Sequence, residues 1–335
     1  MLSIRRAAGT AAFVFSWLAV LGAVHGCREK RRFLAFIDPS GVVKIQLEPS
    51  QSARSFSEGL ASVSVKGKWG YINPGGTFVI PPQFGSATDF SEGLALVTSS
   101  PADQYWNKET LFGFINSSGE YVIAPQFNWA LPFSDGLAPV CIGPCRNQDL
   151  PQARIGYIDH KGNYVLPPRY RQGCRFSEGL ACASLGSGLN ARQGFINKSG
   201  VFVVEPRYLW AHDFANGLAA TDQGFANHTG EVVIPKQPAN QGGDFSDGWA
   251  AISEAGSIAY VDVTGKVVLR LPYQAAGPFA HDLAPACASD CGPSGSDRTW
   301  GYINRAGQFA IKPQFGYRPE PFRNGLALVC FGCTG

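Results

Sequence analysis

The chain has 335 residues, of which 45% are hydrophobic and 16% are charged, the latter below the share of about 25% that is usual in soluble domains. The net charge of +3 comes from scattered lysines and arginines, which argues against a nucleic-acid partner. The 40 glycines and 23 prolines predict many tight turns and few long helices.

Residues 1–26 are predicted to be a secretory signal. A basic pair at positions 5–6 precedes an apolar run over 11–24, which is too short for a membrane-spanning helix. The sequence VHGC at 24–27 is similar to the lipobox of a bacterial lipoprotein signal, although His25 departs from it. Lipidation of Cys27, ordinary cleavage before it, and an uncleaved anchor all stay open. This leader or its lipid is the predicted contact with a membrane.

After a short linker at 27–32, one aromatic–glycine unit recurs from residue 33 to residue 335. The clearest copy reads KWGYINPGGTFVIPPQF at 68–84 and closes with FSEGLALV at 90–97. A glycine within the unit returns every 30–43 residues, a period typical of solenoids and propellers. The eight copies begin near residues 33, 68, 111, 154, 192, 222, 257 and 299.

Each unit is predicted to form three short strands. Residues 70–72 are strand formers, Asn73 and the following glycines predict a tight turn, and Pro81 ends the return strand at 78–80. A third strand follows at 94–97. One unit cannot bury its aromatic face alone, so neighbours must stack.

The fold class predicted from these units is all-β, a tandem array of about eight three-stranded repeats. The array is expected to coil as an open β-superhelix, and a closed propeller-like ring is the alternative. The open form is favoured because the first unit begins, and the last unit ends, at the same point of the repeat.

The recurring motifs resemble those of the WG repeat family, also called KWG repeats. The resemblance covers nearly the whole chain after the leader. It implies a β-rich exported bacterial protein with a binding or interaction role, and it supplies no catalytic residue.

The cysteines predict a disulfide framework. Nine are present, and without Cys27 they form four close pairs, as expected for an oxidising compartment. Zinc would need four ligands in one place, whereas these pairs lie in different repeats. A redox site of the Cys-x-x-Cys kind usually starts a helix. The predicted disulfides are Cys141–Cys145, Cys174–Cys182, Cys287–Cys291 and Cys330–Cys333.

Length variation is concentrated at one place in the unit, between the third strand and the next Trp-Gly. The insertions span 98–109, 142–154, 184–192 and 288–299, so they should leave one edge of the array. Such an edge either binds a ligand or merely accommodates longer loops. Tyr105 and Trp106 in the first insertion are the candidate stacking platform for a sugar or peptide.

Polar residues within the unit have two interpretations. The pair His212–Asp213 resembles a general base, but a solvated turn is predicted. Five acidic residues recur before the turn glycine and are expected to accept hydrogen bonds within their own turns. As a row they would instead bind cations or a basic ligand. They are Glu58, Glu92, Asp135, Glu178 and Asp247.

The function predicted from the sequence is that of a non-catalytic scaffold, exported to the periplasm or outer envelope and binding a protein, peptide or glycan. No cofactor or metal site is predicted. The alternatives are a hydrolase of envelope polymers, which needs two carboxylates in one cleft, and a purely structural envelope protein.

Overall fold

The computed structural model describes the repeats but not every connection between them. The described ranges are 32–99, 110–143, 154–186, 191–236, 243–254, 256–289 and 299–333. Their regular secondary structure consists of β-strands, as predicted. Within the same ranges there is no apolar helix of membrane-spanning length.

The strands are short, between two and seven residues. In chain order they are β1 (Phe33–Ile37), β2 (Val43–Gln46), β3 (Ser52–Ala53), β4 (Ala61–Val65), β5 (Lys68–Ile72), β6 (Phe78–Phe84), β7 (Ser86–Ala87), β8 (Ala95–Thr98), β9 (Phe112–Ile115), β10 (Tyr121–Phe127), β11 (Trp129–Ala130), β12 (Ala138–Cys141), β13 (Ile155–Ile158), β14 (Tyr164–Tyr170), β15 (Gln172–Gly173), β16 (Leu180–Ser184), β17 (Gln193–Asn197), β18 (Phe202–Tyr208), β19 (Ala219–Thr221), β20 (Gly224–Ala226), β21 (Val232–Pro235), β22 (Trp249–Glu254), β23 (Ser257–Asp262), β24 (Val267–Leu271), β25 (Ala284–Ser289), β26 (Thr299–Ile303), β27 (Phe309–Phe315) and β28 (Ala327–Phe331).

These strands form eight small antiparallel sheets. Sheet 1 contains β1, β2 and β28, whereas sheets 2 to 5 each contain four consecutive strands, beginning with β3, β7, β11 and β15. Sheets 6 to 8 each contain three, beginning with β19, β22 and β25. A sequence unit is therefore not one sheet. The unit that starts near residue 68 gives β5 and β6 to sheet 2 and β7 and β8 to sheet 3.

The last strand of the chain pairs with the first. Strand β28 runs antiparallel to β1, from Phe33 opposite Phe331 to Ile37 opposite Ala327. The prediction of an open superhelix is therefore not confirmed. Each unit passes its third strand to another sheet, and β28 completes the sheet that β1 and β2 form.

A buried phenylalanine from each sheet packs against the preceding sheet. The stretch that ends at this residue is called the first segment of its sheet. In sheet 3 it ends at Phe90, whose ring centroid lies 4.8 Å from that of Tyr71 in sheet 2. The eighth contact joins Tyr302 of sheet 8 to Phe322 of sheet 1 at 4.7 Å, so the contacts run in a closed, propeller-like circuit. The first segments are 52–56, 86–90, 129–133, 172–176, 210–214, 243–245, 275–279 and 317–322.

The glycine of the Trp-Gly motif permits a close approach between two strands. A Cβ atom at Gly70 would lie 2.4 Å from the carbonyl oxygen of Ile80. There β6 bulges, since Trp69 pairs with Phe84 and Tyr71 with Ile80. In sheet 7, Ala259 replaces this glycine and the strands pair without that irregularity. A side chain at Gly70 would therefore clash with the bulged strand β6.

The ring has two distinct faces. A tight turn follows each first segment, and a second turn, begun by Asn or Asp, joins the third and fourth strands. Because neighbouring strands are antiparallel, both kinds of turn lie at one end of each sheet, here called the turn face. The connections between second and third strands leave the opposite end, the loop face. The stems of all four sequence insertions therefore lie on the loop face.

Candidate functional site: the central cavities and the loop face

First segments of neighbouring sheets enclose two cavities. Cavity I, of about 520 Å³, is lined from sheets 7, 8 and 1 by residues that include Asp244, Pro278 and Arg318. Cavity II, of about 390 Å³, is lined from sheets 4 to 7 by residues that include Leu131 and Arg175. Asp244 belongs to both walls. Because six of the eight first segments supply these walls, the cavities lie where the sheets converge.

Charged side chains in cavity II form ion pairs between different sheets. Arg175 of sheet 5 places Nη2 2.8 Å from Oδ2 of Asp213 in sheet 6. Nδ1 of His212 lies 2.8 Å from Oδ1 of Asp244 in sheet 7. These pairs link adjacent first segments and leave charged groups on the cavity wall.

Titration of these groups is shifted by their surroundings. The hydrogen bond with Asp244 raises the pKa of His212, and burial raises the pKa of Asp213, against the opposing effect of Arg175. His212 is half exposed, but it lies in a first segment, two residues before the buried Phe214, and not in the predicted turn. His212 and its partner Asp244 meet only through the tertiary structure.

A third pair joins sheets 1 and 3. Nη1 of Arg323 lies 3.6 Å from Oδ2 of Asp89. Oδ1 of Asp89 is buried and has no hydrogen-bond partner within the described ranges. Burial is the largest influence on this carboxyl and raises the pKa of Asp89, while Arg323 and Arg54 lower it. Sheet 2 lies between sheets 1 and 3 in the ring. The short distance between Arg323 and Asp89 therefore shows that the centre of the ring is narrow.

Aromatic residues stand at the loop-face end of three first segments. Trp129, Trp210 and Tyr317 each lie two residues after the aromatic residue that ends the last strand of a sheet. Trp210 is 38% exposed, and its ring centroid lies 5.2 Å from that of His212. Leu185, at the stem of an insertion on the same face, is 53% exposed. The loop face thus presents apolar side chains beside cavity II.

The aromatic platform predicted from the sequence, Tyr105 and Trp106, lies outside the described residues, and the connection that contains it leaves β8 on the loop face. Sequence reasoning missed Trp210 as an exposed ring. The sequence did offer a signal, because two other copies carry an aromatic residue, Trp129 or Tyr317, at the same position of the repeat.

Carboxylates of the tight turns bind the next turn along the ring. Glu58 accepts hydrogen bonds from the backbone N–H groups of Glu92 and Gly93, at 2.6 and 2.9 Å. Glu92, Asp135 and Glu178 accept from the N–H groups of the following turns in the same way. The prediction of bonds within one turn is wrong for these four residues. Each has a positive φ and is followed by a glycine with a positive φ, as in the type I′ turns of two-residue hairpins.

Basic side chains of the second kind of turn contact most of these carboxylates. His160 lies 3.1 Å from Glu92, and Lys198 lies 2.9 Å from Asp135. Lys198 also holds the pKa of Asp135 below its usual value. His228 pairs with Glu178 at 3.0 Å. Arg305 donates a hydrogen bond to the backbone oxygen of the fifth residue, Asp247. The turn face therefore carries structural ion pairs rather than a row of free carboxylates.

Cysteines lie in the second strands and beside them. Cys174 and Cys182 are disulfide-bonded across the hairpin of sheet 5, with 5.1 Å between their Cα atoms, and Cys174 lines cavity II. Cys330 and Cys333 are bonded at the end of β28, with 5.9 Å between Cα atoms. Cys141 and Cys287 are also disulfide-bonded. Their predicted partners Cys145 and Cys291, like Cys27, lie outside the described residues.

Metal-ligating side chains are scattered in the part of the chain that the structure describes. No three His, Cys, Asp or Glu side chains there are grouped so that they could hold a metal ion.

Solved structures with a similar course of the chain share little sequence with it. A eukaryotic initiation factor is 10% identical with a TM-score of 0.49, covering 89% of this chain and 98% of that one. AztD of Citrobacter koseri is 11% identical with a TM-score of 0.43, covering 91% and 98%. Hsv2 of Kluyveromyces lactis is 10% identical with a TM-score of 0.35, covering 76% and 75%. No curated protein matches the sequence.

The repeats themselves match a family profile described as the WG containing repeat. The matches cover residues 36–69, 69–98, 112–143, 155–187, 194–223 and 300–332, which is more than half of the chain. The matched copies are those in which the glycine and aromatic positions of the repeat are clearest. The copies that begin near residues 222 and 257 carry fewer of these residues but still form sheets. The chain belongs to the family of WG repeat proteins.

Proposed function

We propose that this protein is an exported, non-catalytic scaffold that binds a protein, peptide or glycan at the central cavities and the adjoining loop face. The observation that carries the proposal is the convergence of six first segments on cavities I and II. Their volumes, about 520 and 390 Å³, fall within the usual range for ligand pockets. Charged groups from different sheets meet there beside an exposed tryptophan.

The contacts that the carboxylates of the tight turns and of cavity II make with other groups support a non-catalytic role. A glycosidase of the usual kind needs one carboxylate as acid and a second as base or nucleophile in the same cleft. Most of the tight-turn carboxylates are engaged by backbone amides and basic side chains. In cavity II, Asp213 and Asp244 are each held in an ion pair with a first-segment cation.

Export is proposed from the leader and the cysteines together. The basic pair and apolar run of residues 1–26 suit a secretory signal, and bonded cysteines suit an oxidising compartment such as the periplasm or outer envelope. Lipid attachment at Cys27 would anchor the protein to a membrane.

Affinity capture from a native envelope extract tests the binding proposal. Full-length protein is compared with Trp210→Ala, which removes the exposed ring on the loop face. Lys198→Gln is the control, because it alters an ion pair on the turn face. We expect one set of captured molecules with the wild type and the control, and at least tenfold less with Trp210→Ala. Equal capture by all three proteins would contradict the assignment to the loop face.

Incubation with purified envelope polymers tests the hydrolase alternative. The proposal expects no release of soluble fragments by the wild-type protein. Release that disappears in Asp213→Asn and persists in Lys198→Gln would replace the scaffold proposal with a catalytic one.

A further inference from the structure

We propose that cavity I binds a ligand carboxylate through Arg318 and Arg323, and that the ligand carries this carboxylate on an apolar body, as the C-terminus of a hydrophobic peptide does. The inference rests on the proposed binding function and names the ligand class for one of the two cavities.

Arg318 is a cation on the wall of cavity I, and it lies near enough to Tyr260 to interact with it electrostatically. Within the described ranges it forms no hydrogen bond or ion pair, although it lines the cavity. Its guanidinium group packs over Gly277, where a Cβ atom would lie 2.7 Å from Nη2 of Arg318 and 2.6 Å from Cγ of Pro285. Gly277 therefore leaves room for the guanidinium group, and its planar set of donors suits a carboxylate.

Arg323 provides a second cation on the same wall. Its contact with Asp89 is long, 3.6 Å between Nη1 and Oδ2. Burial raises the pKa of Asp89, against the opposing effect of Arg323. Glu320, which lies between the two arginines in sequence, is exposed. These contacts leave Arg323 able to receive a second carboxylate.

The other walls favour an apolar body. Phe245, Ile252, Ile258, Pro278 and Pro321 line the cavity. Burial of such apolar surface favours binding of an apolar group.

The remaining polar groups of cavity I are few. The carboxylate in its lining, Asp244, is engaged by His212 at 2.8 Å. The lining thus holds two arginines, of which Arg323 also contacts Asp89, and one carboxylate that already has a partner. This imbalance selects an anionic ligand, while the apolar surroundings select against a fully hydrated inorganic anion.

Calorimetric titration of the full-length protein provides the test. The probes are N-acetyl-Leu-Leu with a free carboxylate and the same dipeptide with a C-terminal amide. We expect the acid to bind at least tenfold more tightly than the amide, since a hydrogen-bonded charge pair of this kind is worth about a factor of ten or more. This comparison needs no variant, so it does not depend on how well any variant folds.

Variants locate the site. Arg318→Gln and Arg323→Gln should each weaken binding of the acid about tenfold. Lys312→Gln, which makes the same charge change at an exposed position on β27, should leave it unchanged. Arg318→Lys keeps the charge but loses the planar fork, and an intermediate affinity is expected.

Three results would overturn the proposal: no binding of the acid, equal affinity for acid and amide, or unchanged binding by Arg318→Gln. Displacement of the acid by equimolar inorganic sulfate would equally overturn the apolar ligand class. If the wild type captures an envelope partner yet fails to bind the acid, this inference fails and the scaffold proposal stands. If neither binds, both fail.

Discussion

The carboxylate of Glu58 accepts a hydrogen bond of 2.6 Å from the backbone N–H of Glu92, although the two residues belong to tight turns of neighbouring sheets. Glu58 takes a φ of 52°, a region that glutamate rarely occupies. The contact satisfies an amide of the next turn and offsets this strain. The acidic residue before the turn glycine therefore connects neighbouring sheets of the ring.

Replacement of Glu58 tests this link. Glu58→Ala should lower the free energy of unfolding by about 1 kcal/mol, because the amides of the next turn lose their acceptor. Glu58→Gln keeps an acceptor oxygen at the same φ and should lose less. Urea unfolding followed by tryptophan fluorescence measures both, and equal losses would show that the bond to Glu92 does not stabilise the ring.

The Trp-Gly glycine is expected to tolerate no side chain in a bulged sheet. Gly70→Ala would press a methyl group against the carbonyl oxygen of Ile80 and should cost about 1–3 kcal/mol, as overpacking does. The reverse change at the equivalent place of a regular sheet, Ala259→Gly, should cost about 0.5–1 kcal/mol through backbone entropy. A smaller loss for Gly70→Ala than for Ala259→Gly would refute the close-approach explanation.

Closure of the ring predicts that the last strand is essential. A chain that ends at Leu326 lacks β28, so β1 keeps β2 but loses its other partner, and the buried residues Ala327 and Val329 are missing from the core. Far-ultraviolet circular dichroism on heating should show a large fall in the unfolding midpoint. A chain that ends at Cys333 is the control.

Adding the missing strand back as a separate peptide provides a second test of ring closure. A synthetic peptide of residues 326–333 should raise the midpoint of the shortened chain, because it can pair with β1. An unchanged midpoint after truncation would mean that the array does not depend on closure.

The ion pair between His212 and Asp244 predicts a dependence of stability on pH. The raised pKa of His212 means that the folded protein holds this proton more tightly than the unfolded chain does. Its contribution is complete below the unfolded value of about 6.5 and is lost as the pH rises through the higher folded value. The pair is half exposed, so the effect should stay below about 1 kcal/mol.

Urea midpoints at about pH 6 and about pH 9 measure this contribution. The midpoint should fall more in the wild type than in His212→Gln, in which the titrating group is absent. Identical pH dependence of the two proteins would remove His212 as its source.

The disulfides predict few reactive thiols. Full-length protein unfolded without reductant should expose at most the thiol of Cys27 to a thiol reagent, because the other eight cysteines are expected to be paired. After reduction, all nine should react. More than two reactive thiols before reduction would contradict the predicted pairing of Cys141 with Cys145 or of Cys287 with Cys291.

Local features of this protein could be predicted from the sequence because they depend on neighbouring residues. Asn73 accepts a hydrogen bond from the N–H of Gly75 within its own turn, as the turn signal indicates. Cys174 and Cys182 are bonded across one hairpin, eight residues apart. Alternation of apolar residues and turn signals also determined the all-β class, and the repeat period determined the number of sheets.

Only the tertiary structure decided how the units join and where charges meet. Pairing of β28 with β1 brings together residues almost 300 positions apart, and no local pattern distinguishes it from an open array. His212 acquires Asp244 as a partner for the same reason, because the ring places two first segments side by side. Local sequence determines hairpins through turn geometry and side-chain alternation, whereas closure and the central cavities depend on the sum of eight sheet-to-sheet angles.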